Sequence, residues 1–132
     1  MHVFERRIRL QHTDGAGVVF FARFFELAHE AYEDMLDAIG HPFPGDLAGE
    51  PVLYPIVHAT SDYRAMLRLG DLLRIEVTVA KVKSRSFVLT YRFVNPAGEE
   101  AAALETVHVA VDKATGRSTG IPDALADALR AV

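Results

Sequence analysis

Residues 21 to 39 read FARFFELAHEAYEDMLDAI. Phe21, Phe24, Phe25, Ala28, Tyr32, Met35, Leu36 and Ile39 recur at spacings of three and four, the period of one helix face. Arg23, Glu26, Glu30, Glu33, Asp34 and Asp37 take the opposite face. Gly40 follows as a natural left-handed stop, and Pro42 prevents continuation. The spacing predicts one long helix, about 28 Å at 1.5 Å per residue.

Around this helix the period changes from 3.6 to two. Upstream, VFERRIRL (3–10) alternates apolar and charged positions and predicts a strand. Downstream, residues 40–51 hold three prolines and three glycines and predict a loop or lid. PIVHATSDY from Pro55, LLRIEVTVAKV from Leu72, SFVLTYRFV from Ser86 and ALETVHVAV ending at Val111 predict four more strands. In LLRIEVTVAKV, Leu73, Ile75, Val77 and Val79 alternate with Arg74, Glu76, Thr78 and Ala80. RLGD (68–71), NPAG (95–98) and DKATG (112–116) supply turns, and Pro122 to Ala131 predicts a short amphipathic helix. Short turns imply antiparallel neighbours. The expected fold is α+β, with an antiparallel sheet wrapped around one central helix. No linker or repeat divides it, so residues 1–132 form one expected domain. The last strands leave edges that a second copy would cover.

Composition narrows the function. The chain has 132 residues, half of them hydrophobic, with a formal net charge of −4 and no block of like charges. No basic balance points to nucleic acid. No apolar run has the length of a signal peptide or of a membrane span. The absence of cysteine removes disulfides, thiolate metal sites and a Cys nucleophile, and it fits a cytoplasmic protein. No H-x-x-x-H or EF-hand pattern occurs, so no metal is expected.

The chemistry points to HTDGAGVVFFARFF, residues 12–25. Asp14 lies in a glycine-bearing loop just before the helix. The first turn of a helix carries unpaired N–H groups and partial positive charge. A carbonyl oxygen placed on those groups is polarised and its oxyanion stabilised. A carboxylate beside it can attack the carbonyl carbon or deprotonate a water. Gly17 lets the backbone pass close to a ligand. The same residues also describe a plain turn former or N-cap. His12, two residues earlier, would share a strand face with Asp14. KVKSRSF (81–87) puts three cations and two serines at a strand junction, which suits a phosphate site or a solvated hairpin equally. Arg64 closes the PIVHATSDYR strand, and His58 sits inside it. His29 and His108 read as structural.

TDGAGVVFFARFFELAHEAYEDML resembles the hotdog-fold thioesterases of the 4-hydroxybenzoyl-CoA thioesterase type. Their signature is an acidic residue, two small residues, Gly, two aliphatics, an aromatic pair and then the central helix; here these are Asp14, Gly15, Ala16, Gly17, Val18, Val19, Phe20 and Phe21. PIVHATSDY, LGDLLRIEVTV and KSRSFVLTYRF resemble that family's later strands in the same order. HEAYEDML also resembles the branch that hydrolyses 1,4-dihydroxy-2-naphthoyl-CoA.

The resemblance implies a hotdog fold and an acyl-CoA thioesterase that needs no cofactor beyond the CoA of its substrate. It implies Asp14 as the catalytic carboxylate and the Phe21 backbone N–H, with Gly17 nearby, as the oxyanion contact. It places the nucleotide end of CoA at Lys83, Arg85 and Ser86, with Arg64 in reach. It brings the His58 strand beside the helix start, so His58 is a candidate for the acyl pocket or else a plain strand histidine; Phe25, with Phe20, Phe21 and Phe24, has a spacing that suits either an aromatic acyl pocket or the core. It further implies a homodimer or a dimer-of-dimers homotetramer whose sheets meet edge to edge, each site using both chains. An aroyl-CoA is the first expected substrate and a small aliphatic acyl-CoA the second. A hydratase or dehydratase on the same fold would pair a His with the carboxylate, and here Gly17 stands where that His tends to fall. A non-catalytic acyl-CoA-binding domain would leave Asp14 idle. Another hotdog branch carries its glutamate on the helix, where Glu30 is the candidate.

Overall fold

The period-two segments form one antiparallel sheet. The computed structural model describes residues 1–132. In chain order the elements are β1 (His2–Arg7), α1 (Arg23–Ala38), β2 (Val52–Leu53), β3 (Ile56–Tyr63), β4 (Leu72–Val82), β5 (Ser86–Val94), β6 (Glu100–Val109), β7 (Val111–Asp112) and α2 (Asp123–Arg130). The main sheet has the order β1-β4-β5-β6-β3, and β2 pairs with β7 in a separate two-stranded ribbon.

Alternation decides which face meets the helix. Leu73, Ile75 and Val77 of β4, Phe87, Leu89, Tyr91 and Phe93 of β5, and Ala102 and Leu104 of β6 are buried. They form one core with Phe24, Leu27, Ala28, Ala31, Tyr32, Met35 and Leu36 of α1. This is the sheet wrapped on a central helix that the alternation predicted. Three polar side chains cross the core as a chain. The Tyr91 hydroxyl and Thr106 Oγ1 are 3.0 Å apart, and Thr106 Oγ1 lies 2.8 Å from His108 Nε2. Burial holds His108 down to about 4, with help from the charge of His29 and against the backbone of Tyr54.

Some boundaries differ from the sequence expectation. The first strand ends at Arg7, not Leu10, because Leu10–His12 coil into a 3₁₀ turn. The long helix starts at Arg23; Phe21 precedes it and is exposed. The last long strand runs Glu100–Val109 and hands over to β7 at Val111, which pairs with Leu53. That ribbon was not expected, since two-residue strands leave no alternation to read. Along the side of α1, Arg6 Nε donates to Glu30 at 3.0 Å and His2 Nε2 lies 2.6 Å from Asp34, tying helix to β1.

Antiparallel register sorts the chain into two ends. Arg7 pairs with Leu72, Arg74 with Val94, Val94 with Glu100 and Tyr63 with Ala102, so these termini share one end of the sheet. The β4–β5 hairpin tip, the end of β6 and the start of β3 occupy the other end. β4 alone has 11 residues, so the ends lie about 33 Å apart.

Candidate active site

The Asp14 loop is a small closed structure. The Asp14 N–H donates to the Val18 carbonyl at 3.0 Å, the Gly17 N–H donates to the Asp14 carbonyl at 3.2 Å, and the Phe20 N–H donates to the His12 carbonyl at 3.0 Å. Gly17 adopts φ +78, the left-handed conformation this turn demands. The loop rests on the turn before β4: the Val19 N–H donates to Leu67 and the Leu69 N–H to Gly17.

Asp14 is not the helix N-cap. The cap position is Ala22, which offers no side-chain hydrogen bond. Instead Asp14 Oδ1 accepts the Ala16 N–H at 2.8 Å. The side chain is exposed, and Oδ2 takes no hydrogen bond from the chain. Phe20 and Phe24 N–H groups are both engaged within the loop and first turn, while the Phe21 N–H donates to nothing. Thus one pinned loop carries both an unengaged carboxylate oxygen and an unengaged backbone donor. Asp14 and Phe21 lie on the two arms joined by the Thr13–Val19 bridge.

β3 supports this arrangement from the side. The Tyr63 hydroxyl donates to the Phe21 carbonyl at 3.4 Å, receives a hydrogen bond from Ser61 Oγ at 2.9 Å, and its ring meets Phe24 edge-on at 4.8 Å. Sequence reasoning missed Tyr63, although an aromatic at the inward parity of a strand end was a usable signal. His12 differs from expectation. It does not share a strand face with Asp14; it is buried in the 3₁₀ turn, its Nδ1 accepting the Arg9 N–H at 2.8 Å. Burial, then the Arg6 guanidinium, holds its pKa below the ordinary value, against Glu30 and Glu26.

The remaining candidates divide between the two ends. Arg64 shares the Asp14 end, but its guanidinium is paired with Glu100. Phe25 sits half-buried in the first turn of α1. Lys83, Arg85 and Ser86 lie at the opposite end. There the Lys83 N–H closes the hairpin onto the Ser86 carbonyl at 2.8 Å, and Arg85 donates to Ser118 Oγ at 3.2 Å. Lys83 is exposed and has no acidic partner. His58 is also at that end. It pairs in register with Val107, on the outward face with Thr60 and Asp62. Within one chain the fold brings neither His58 nor the hairpin cations to Asp14. Glu30, the alternative carboxylate, is occupied by Arg6.

A family model described as the Thioesterase-like superfamily matches residues 8–129. The chain belongs to that superfamily. It is 37% identical over 127 residues to a 1,4-dihydroxy-2-naphthoyl-CoA hydrolase of Rippkaea orientalis, covering 95% of this chain and 92% of that one. It is 35% identical to the 1,4-dihydroxy-2-naphthoyl-CoA hydrolase of Synechococcus elongatus, over 96% of this chain and 93% of the other. Among solved structures, a 1,4-dihydroxy-2-naphthoyl-CoA thioesterase from Synechocystis superposes with a TM-score of 0.92 at 28% identity, covering 98% and 95% of the two chains. A gentisyl-coenzyme A thioesterase superposes with a TM-score of 0.85 at 27% identity, covering 96% and 98%. The α+β sheet on a central helix expected from the spacing, and the hotdog fold that the resemblance implied, are the fold of this superfamily member. No group of three side chains is placed to hold a metal ion, and no helix is long and apolar enough to cross a membrane.

Proposed function

We propose that the chain hydrolyses the thioester of an aroyl-CoA, with 1,4-dihydroxy-2-naphthoyl-CoA the first candidate, using Asp14 and the Phe21 N–H. The observation that carries this reading is one pinned loop holding a carboxylate oxygen and a backbone donor that the chain itself leaves unengaged. Asp14 takes the proton of a water that attacks the thioester carbon and passes it to the departing CoA sulfur, or it attacks that carbon itself, forming a mixed anhydride that a water then hydrolyses while the water's proton goes to the CoA thiolate. The Phe21 N–H at the start of α1 receives the oxyanion, and CoA departs as its thiol. The hydrolase names of the relatives support the thioester chemistry, and their hydroxylated aromatic acyl groups support the acyl class.

The site is completed by a second copy. β3 is an edge strand whose residues are almost all exposed, including Val57 at 60%. Identical edges paired about a twofold axis must run antiparallel. Such pairing sets the hairpin end of one chain beside the Asp14 end of its partner. Lys83, Arg85 and Ser86 then hold the CoA phosphates in trans, and His58 stands on the shared side. The reaction needs no metal or cofactor, and the cysteine-free chain suits the cytoplasm.

The test is thiol release from a panel of aromatic and aliphatic acyl-CoAs, with Asp14→Asn alongside. The substitution keeps shape and removes charge, and its loss should reach about 10²-fold or more. An equally active Asp14→Asn variant would overturn the assignment.

A further inference from the structure

α1 packs against β1 and β4, which leaves the inner face of β3 uncovered. Ala59, Ser61 and Tyr63 pair in register with Thr106, Leu104 and Ala102 of β6, all three buried. Yet Ala59 and Tyr63 are exposed and Ser61 is half-buried. These inward-pointing side chains of β3 border open space beside the turn that enters α1.

Tyr63 reaches across that space. Its ring stands edge-on to Phe24 with centroids 4.8 Å apart. Its hydroxyl accepts a hydrogen bond from Ser61 Oγ at 2.9 Å, which turns its own proton toward the Phe21 carbonyl at 3.4 Å. That contact is long for O–H···O, as hydrogen bonds that tighten only around a reacting substrate often are. The Phe21 carbonyl has one other donor, the Phe24 N–H, also long at 3.3 Å. The cap position Ala22 offers no side-chain hydrogen bond, so the Tyr63 hydroxyl is the side-chain tie between this turn and the sheet.

The unengaged Phe21 N–H therefore lies between two anchors. On its N-terminal side the Phe20 N–H donates to the His12 carbonyl at 3.0 Å, and the Phe20 carbonyl accepts the Arg23 N–H at 2.9 Å. The second bond polarises the peptide that carries the Phe21 N–H and strengthens it as a donor. On its C-terminal side Tyr63 holds the Phe21 carbonyl. We propose that Tyr63, oriented by Ser61, is a positioning residue that holds the Phe21 backbone from β3 and so keeps the Phe21 N–H aimed at the oxyanion. The proposal rests on the thioesterase reading of the Asp14 loop. Tyr63 acts through the Phe21 backbone, and the oxyanion exists only in the transition state, so the hydroxyl acts on kcat and not on KM.

The test is steady-state thiol release from 1,4-dihydroxy-2-naphthoyl-CoA by Tyr63→Phe, Ser61→Ala and the double variant, with Asp14→Asn alongside. Tyr63→Phe keeps the ring on Phe24 and removes a hydroxyl from an exposed residue, so the fold survives. Its kcat should fall about tenfold, the loss of one hydrogen bond, and its KM should stay within about twofold; losing the oxyanion donor itself would cost about 10² or more. Ser61→Ala should lower kcat about threefold on its own and cost nothing further in the Tyr63→Phe background, because the two hydroxyls act in series. Unchanged kcat in Tyr63→Phe beside an inactive Asp14→Asn overturns the positioning role alone. A fully active Asp14→Asn overturns the site and the positioning role together. A Tyr63→Phe loss that lies in KM makes Tyr63 a wall of the binding site, and additive losses separate the two hydroxyls; either result overturns the proposal.

Discussion

Asp14 and the Lys83–Ser86 hairpin sit at opposite ends of a sheet about 33 Å long, as the 11 residues of β4 require. If they serve one reaction, each site takes Asp14 from one chain and the hairpin from the other. Two defective variants should then repair each other. Asp14→Asn lacks the carboxylate, and the double variant Lys83→Ala/Arg85→Ala lacks the phosphate contacts. Each charged hydrogen bond is worth about 1.5–3 kcal/mol, so the double variant should lose at least tenfold in kcat/KM. Unfolding and refolding an equal mixture gives half heterodimers. In a heterodimer one site joins intact Asp14 to an intact hairpin, and the other carries both defects. About one quarter of wild-type activity should return, following from the isologous symmetry of a twofold dimer. The assay is thiol release before and after exchange, with each variant refolded alone as the control. A site built within one chain would give no recovery beyond the average of the parents, and that result would refute the two-chain reasoning.

Three further outcomes can be measured on purified variants. Gly17→Ala has room for its Cβ but must hold φ +78; it should lose about 1 kcal/mol in urea unfolding, and Gly17→Asn less. Glu30→Gln breaks an ion pair that is partly open to solvent; it should cost at most about 1 kcal/mol and leave turnover within about twofold, whereas a catalytic glutamate would lose about 10². His108 stays neutral in the fold down to about pH 4, while the unfolded chain takes up a proton near pH 6.5. The unfolded state therefore binds more protons between these values, and stability falls as pH drops through that window, by up to about 3 kcal/mol. His108→Gln should flatten this part of the pH–stability curve, read by urea titration at pH 7 and pH 4.5.

The fold was legible wherever a period was long. The alternation from Leu73 to Ala80 in β4 and the sixteen residues of α1 state which face is buried, because the hydrophobic effect acts on every repeat of the pattern. The β2–β7 ribbon was not legible, since Val52 and Leu53 offer no period. The helix start was placed two residues early because Phe21 has the right spacing. Only packing against the Asp14 loop shows that it stays exposed. His12 was misplaced for a similar reason: a single hydrogen bond from the Arg9 N–H turns the chain inward, and no pattern in the sequence records it.

The sequence by itself determined the long central helix, the alternating strands and the glycine-bearing turn that holds Asp14, because each rests on local spacing and on backbone chemistry that neighbours in the chain dictate. The tertiary structure decided which N–H remained free, where Tyr63 stands, and that Lys83, Arg85 and His58 lie a full sheet length from Asp14. Those are facts of antiparallel register and burial. They arise from residues tens of positions apart, whose proximity no local pattern encodes.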